Sequence, residues 1–321
     1  MERQKPPPLD LSAAGRAVSS WLATGARLVR RVPPGWRVVA LGAFAIAGLS
    51  FISGLQSSSP GASQIASDTK QFSISNQPTL VFAHFVGHVT IMPGPDGQVS
   101  IKEKRNGATD SIVTAYAQHG DTITVTSDIP GGLMEDTWVD FDVSVPRRVG
   151  FTTTVATGTL EARNLGGHIA LINTNGAIWA TNLTGTLNVK TQSGAITFTN
   201  VTGEVAASTQ NGTITSTGTL LQGRSMIQAE SGTINFHGSL GRAGKYMFSN
   251  TNGAVGLTLP ANSAFTVAAR TSSGSINADF PGVRVSHQEG RSVALGVVGA
   301  APTAQLTIQT SGGSIDLHPA R

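Results

Sequence analysis

Between Phe151 and Gly282 the chain holds four acids: Glu161, Glu204, Glu230 and Asp279. A polysaccharide hydrolase would need such groups as a pair flanking one glycosidic bond. Counted from the nearest repeat glycine they stand at +3, −8, −2 and +5, so no stacked pair is expected and solvated surface charge is the reading. The densest acidic cluster is Glu135, Asp136, Asp140 and Asp142. Asp140 and Asp142 are two apart on a strand-like run and point to one face, where carboxylate oxygens would suit Ca²⁺. The spacing is not that of a loop cage, so a solvated edge is favoured. His84 and His88 are four apart, but on strand-like sequence and without an HExxH motif. Neither a nucleophile elbow nor a phosphate-binding loop is present. Trp179 stands outward beside an aliphatic row, where it would stack on a sugar ring or pack under a loop. Trp179, Asp140 and Asp142 are therefore the candidate ligand contacts. No catalytic, metal or cofactor set is expected, and the chain reads as a non-enzyme.

The elements that would position these residues are set by a repeat. Glycines recur at Gly158, Gly176, Gly194, Gly212, Gly232, Gly253, Gly274 and Gly313, at intervals of 18, 18, 18, 20, 21, 21 and 39 residues. Periodicity of this kind marks a solenoid. Two positions after each glycine comes an aliphatic row: Leu160, Ile178, Ile196, Ile214, Ile234, Val255, Ile276 and Ile315. Two further on lies a looser row: Ala162, Ala180, Phe198, Ser216, Phe236, Leu257, Ala278 and Leu317. Alternation of this kind is a strand with one buried face. The Asn-Gly and Ser-Gly pairs suit positive φ at tight turns. An all-β solenoid of roughly 18–21-residue coils is expected, each coil stabilised by its neighbours. A sandwich of Asn-Gly and Ser-Gly hairpins would share the turn chemistry but not the repeated interval. The flanking positions do not form a uniform threonine face, so no ice-binding ladder is expected. Asn182, Asn200 and Asn211 head N-x-Ser/Thr sequons, which a chain rich in Asn and Thr makes by chance.

The chain has 321 residues, 38 glycines, 12% charged residues and no cysteine. Disulfides and thiolate metal sites are thereby excluded. Residues 1–37 hold seven Lys or Arg against Glu2 and Asp10, while the remainder nets −1. The high pI belongs to a short head, and the body offers no electrostatic footprint for nucleic acid. Residues 1–35 read as a basic cytoplasmic head, with an amphipathic helix expected from Leu11 to Val32 that would lie on anionic lipid. Val38 to Leu55 is 18 residues without a charge, about 27 Å as a helix. With Trp36 and Arg37 at its start, residues 36–55 are expected to be one N-terminal transmembrane helix. The arginine asymmetry places the N-terminus in the cytoplasm and the body outside. A cleaved signal peptide is the rival reading. Residues 56–70 form a Ser-rich linker, and 71–321 the extracytoplasmic domain.

Before the repeats, Leu80–Phe85, Val89–Ile91 and Val99–Ile101 are strand-like, with Pro93–Gly97 a turn that suggests a hairpin. Trp138 to Val145 alternates strictly and ends at Pro146. These strands are expected to cap or begin the solenoid. Arg284–Ser286 and Ser292–Leu295 look like a hairpin inserted before the last coil.

The run Val139-Asp140-Phe141-Asp142-Val143-Ser144-Val145-Pro146, then Thr157-Gly158, then repeated Ser/Asn-Gly-x-Ile units, resembles the toast-rack domain of bacterial envelope proteins, also named the putative-adhesin domain. The resemblance covers roughly Leu80 to Leu317 and carries no catalytic motif. It implies a surface β-solenoid joined to a membrane segment, linked by name to adhesion and by genomic company to envelope-stress signalling. The family's common Ser-Gly-Asp stands here as Ser-Gly-Ala or Asn-Gly-Thr, so no acidic ladder is expected. The function expected is membrane-anchored surface binding or adhesion; the alternative is envelope-stress sensing that couples the body to the membrane or cytoplasm. Expected partners are membrane lipid, a cell-surface glycan or envelope protein, and a second copy in a homo-oligomer, with no nucleic acid.

Overall fold

The computed structural model describes residues 66–75, 77–132, 136–288 and 290–320. The predicted head, transmembrane helix and most of the linker lie outside these residues. Among the described residues no helix is long and apolar enough to cross a membrane. The described residues of 64–128 and 133–321 form a first compact unit, and the turn Ile129–Gly132 is not part of it.

Each coil of the first unit pairs one long strand with one short strand, and successive coils stack in parallel. The long strands are β2 (Thr79–Val86), β6 (Thr122–Asp128), β8 (Arg148–Thr157), β10 (Gly166–Asn175), β12 (Thr184–Ser193), β14 (Thr202–Asn211), β16 (Arg224–Ser231), β18 (Lys245–Asn252), β20 (Phe265–Ser273) and β24 (Ala304–Gly312). The short-sheet strands are β3 (Val89–Pro93), β7 (Trp138–Val145), β9 (Leu160–Arg163), β11 (Ile178–Thr181), β13 (Ile196–Thr199), β15 (Ile214–Leu221), β17 (Ile234–Leu240), β19 (Val255–Leu259), β21 (Ile276–Ala278) and β25 (Ile315–Pro319). Capping strands are β1 (Ala66–Ser73), β4 (Gln98–Asn106), β5 (Val113–His119), β22 (Val283–Gln288) and β23 (Arg291–Val298).

The expected aliphatic row is one continuous stack. Leu160, Ile178, Ile196, Ile214, Ile234, Val255, Ile315 and Ile276 are successive register partners, all buried. Burying each such side chain contributes roughly 1.5–3 kcal/mol, which a single coil could not collect alone. The parallel register excludes the hairpin sandwich.

The repeat glycines stack as closely. A Cβ on Gly176, Gly194, Gly212, Gly232 or Gly253 would strike the carbonyl of the repeat glycine one coil before. Four of these five, all but Gly212, also hold a φ of +134 to +147° that side chains disfavour. Three residues before the glycine, a buried polar side chain reaches back to the previous coil's glycine carbonyl. Asn173 Nδ2 donates to Gly158 O (2.8 Å), Asn250 Nδ2 to Gly232 O (2.8 Å), Thr310 Oγ1 to Gly253 O (3.0 Å) and Thr271 Oγ1 to Gly313 O (2.9 Å). Thr191 and Thr209 make longer bonds of the same kind. This inner polar ladder satisfies backbone acceptors that the turn would otherwise bury.

Spatial order departs from chain order at both ends. β2 lies between β6 and β8, and β3 between β7 and β9. β24 lies between β18 and β20, and β25 between β19 and β21. The C-terminal coil is therefore next to last in space, and β20–β21 is outermost. The 284–295 hairpin forms as expected, with β23 antiparallel to both β20 and β22. The hairpin expected across Pro93–Gly97 does not form. β4 runs antiparallel to β1 and β7 instead, because β7 pairs in parallel with β3 and separates the two.

Candidate functional site

The outer face of the short sheet gathers the predicted contacts. Asp142 is the register partner of Thr90, Thr90 of Glu161, Glu161 of Trp179, Trp179 of Thr197 and Thr197 of Thr215. Two residues along each strand a second row runs Arg163, Thr181, Thr199, Thr217 and His237. Trp179 alternates between buried Ile178 and Ala180, which fixes its ring outward at 44% exposure. Beside it Arg163 Nη2 meets Glu161 Oε2 at 2.9 Å. On the other side Thr197, Thr199, Thr215 and Thr217 present hydroxyls, each able to donate and accept. Apolar ring, fixed ion pair and hydroxyl field together suit the faces and edges of a sugar.

Trp179 and Asp142 share a row but are three strands apart, about 14 Å. Asp142 pairs with Lys104 across β4 and β7 (2.7 Å), and its carboxylate holds the Lys104 ammonium above the ordinary lysine value. Asp140 accepts the His88 backbone N–H at 2.9 Å. Both predicted acids are thus engaged at the capped end, away from the tryptophan. His84 is buried against Phe82 and Phe141, while His88 is exposed. Among the described residues no group of three or more His, Asp or Glu is placed to hold a metal.

Threonine recurs at the fifth position after the repeat glycine, as Thr181, Thr199 and Thr217. That row lies outside the flanking positions considered for a threonine ladder. Glu161 stands next to Trp179 because β9 pairs with β11.

A family model, Toastrack DUF4097, matches residues 96–318. The chain belongs to this family. The toast-rack match begins after β3 and takes in Trp179, Glu161, Arg163 and the threonine rows, while β1, β2 and β3, with Thr90, precede it. No curated protein matches the chain. Solved structures similar to this toast-rack chain include one described as a putative adhesin from Bacteroides fragilis, 11% identical, covering 79% of this chain and 97% of its own, with a TM-score of 0.34. Another is a putative cell adhesion protein from Clostridium sporogenes, 10% identical, covering 80% and 100%, with a TM-score of 0.25. A putative lipid binding protein from Parabacteroides distasonis is 10% identical over 79% and 97%, with a TM-score of 0.24.

Proposed function

We propose that this toast-rack chain is a non-catalytic binding protein of the bacterial envelope, whose short-sheet face takes a surface glycan with Trp179 as the stacking platform. The carrying observation is the outward Trp179 ring, flanked by the Glu161–Arg163 pair and the threonine rows. Stacked strands repeat every 4.8 Å or so, so successive threonine pairs offer hydroxyls at a regular pitch to an extended ligand. In this reading residues 36–55 tie the body to the membrane as a single span, with residues 1–35 in the cytoplasm. The arrangement supports adhesion: a rigid, ligand-presenting face on a tethered body.

The test is glycan-array binding of the full chain beside Trp179→Ala. An aromatic platform contributes about 1–2 kcal/mol, so the variant should bind its glycan about tenfold more weakly. Its melting temperature should stay unchanged, since the ring stands on the outer face and is exposed. Equal glycan binding by the two proteins would remove Trp179 from the site and this reading with it.

A further inference from the structure

The line along which the long strands begin carries cations that no acid partners. Arg147 and Arg148 stand at the turn into β8, and His168 lies two strand positions into β10; all three are exposed. With Asn164, Asn182 and Gln77 they line a shallow cleft of about 630 Å³ whose floor is Gly166, Gly167 and Gly185. A second cleft, about 370 Å³, opens on the same line around Arg224 and Lys245, the register-paired first residues of β16 and β18. Its floor is again glycine, Gly223 and Gly244.

The ion pairs of the unit lie elsewhere. Lys70, Lys104, Arg105 and Arg163 each meet an acid. Among the described residues no acid pairs with Arg147, Arg148, Arg224 or Lys245. Neither cleft is lined by Asp or Glu. Glu204, one strand from Thr186 and two from His168, lays its carboxylate against Gly223 at the edge of the second cleft and makes no ion pair among the described residues.

A second feature points the same way. Asn164, Asn182 and Asn200 all take left-handed φ of 52 to 58° at successive corners, and their side chains form a chain of amides. Asn200 Nδ2 donates to Asn182 Oδ1 (3.2 Å), and Asn182 Nδ2 donates to Asn164 Oδ1 (2.8 Å). Every bond runs in one direction, so the amides polarise one another and the terminal donor is Asn164 Nδ2. Among the described residues nothing accepts from it, and it faces the first cleft. The wall formed by two guanidiniums and this amide end therefore offers donors to an acceptor-rich ligand.

We infer that this edge binds a linear anionic polymer, the carboxylate-bearing chain of an acidic polysaccharide, with one anionic group in each cleft. Arg148 and Arg224 sit four strands apart, about 19 Å, a span that a polymer bridges and a single sugar acid does not. The site is separate from the Trp179 face, which lies on the other sheet.

The test is calorimetric titration of the full chain, in a neutral detergent, with polygalacturonate. The comparisons are R147S/R148S, R224S/K245S, the four-site combination and, as a charge-matched control on the C-terminal cap, R284S/R291S. Exposed contacts of this kind are each weak, so each cleft variant should bind about threefold to tenfold more weakly. The combination should lose binding, and the control and Trp179→Ala should match the parent. Binding should fall at least tenfold or so between 50 and about 300 mM salt, as screening of exposed charges requires. Equal loss in the control would reduce the effect to net charge and overturn the site. Galacturonic acid binding as tightly as the polymer would overturn the bridging of two clefts. Binding of glycerol phosphate through the same arginines, with no polygalacturonate binding, would replace the sugar acid by a lipid-type headgroup and overturn the assignment.

Discussion

Replacing Gly194 by alanine tests whether the coils are held at contact distance by backbone lying on backbone. An added Cβ would lie against the Gly176 carbonyl oxygen and 2.6 Å from its carbon, where relaxed contact needs about 3.5 Å. Gly194 also holds φ +147°, a region that is essentially glycine's alone and costs about 1–3 kcal/mol to force. Overpacking adds about 1–3 kcal/mol, for a total of about 2–6 kcal/mol. Against a native stability of about 5–15 kcal/mol this is a large fraction. Gly120 supplies the control: φ is +59° and nothing lies within 4 Å of its added Cβ, so alanine there pays only the left-handed cost of about 1–2 kcal/mol. Thermal unfolding followed by circular dichroism should show Gly194→Ala melting about 5–20 °C lower and Gly120→Ala only a few degrees lower. Equal losses in the two variants would refute close stacking as the reason for the glycine row.

Asn173→Ala removes the donor to Gly158 O and leaves a buried carbonyl short of a partner, at about 1–3 kcal/mol; denaturant titration should show a lower midpoint with an unchanged slope. Burial lowers the His84 pKa from 6.5 to about 4. As pH falls from 6.5 to 4 the unfolded chain takes up a proton that the folded chain refuses, and stability should drop by up to about 3 kcal/mol. His84→Leu should flatten that part of the melting-temperature profile relative to the parent, and parallel profiles would show that the ring titrates normally.

The middle of the solenoid was legible because its signals are strictly periodic. Gly176, Gly194 and Gly212 with Ile178, Ile196 and Ile214 repeat at 18 residues because each coil must superpose on the last. The ends were not, since register partners there are distant in the chain and no local pattern records them. The 39-residue interval from Gly274 to Gly313 was the one trace of β24–β25 returning to an inner position. The inner polar ladder was hidden for another reason. Asn173, Thr191 and Thr209 occupy inward strand positions, but polar residues read as outward. Their constant offset of three from the glycine was the available signal. Trp179 was legible as an outward ring, whereas its partners Glu161 and Arg163 depend on lateral neighbours that only the stacking supplies. Asn182 and Asn200, read as chance sequons, are rungs of the corner amide chain.

The out-of-order ends set a rule for how this body can be made and unmade. The outermost coil, β20–β21, cannot seat until β24–β25 has been synthesised, because that is the layer on which it rests. A protease that clips those residues would not shorten the stack by one layer; it would open a slot beneath the last one. At the other end the supporting layer, β2–β3, is made before the coil β6–β7 that rests on it, and its loss would likewise leave a gap beneath that coil. A body built in this way cannot lose its layers one at a time in chain order from either end.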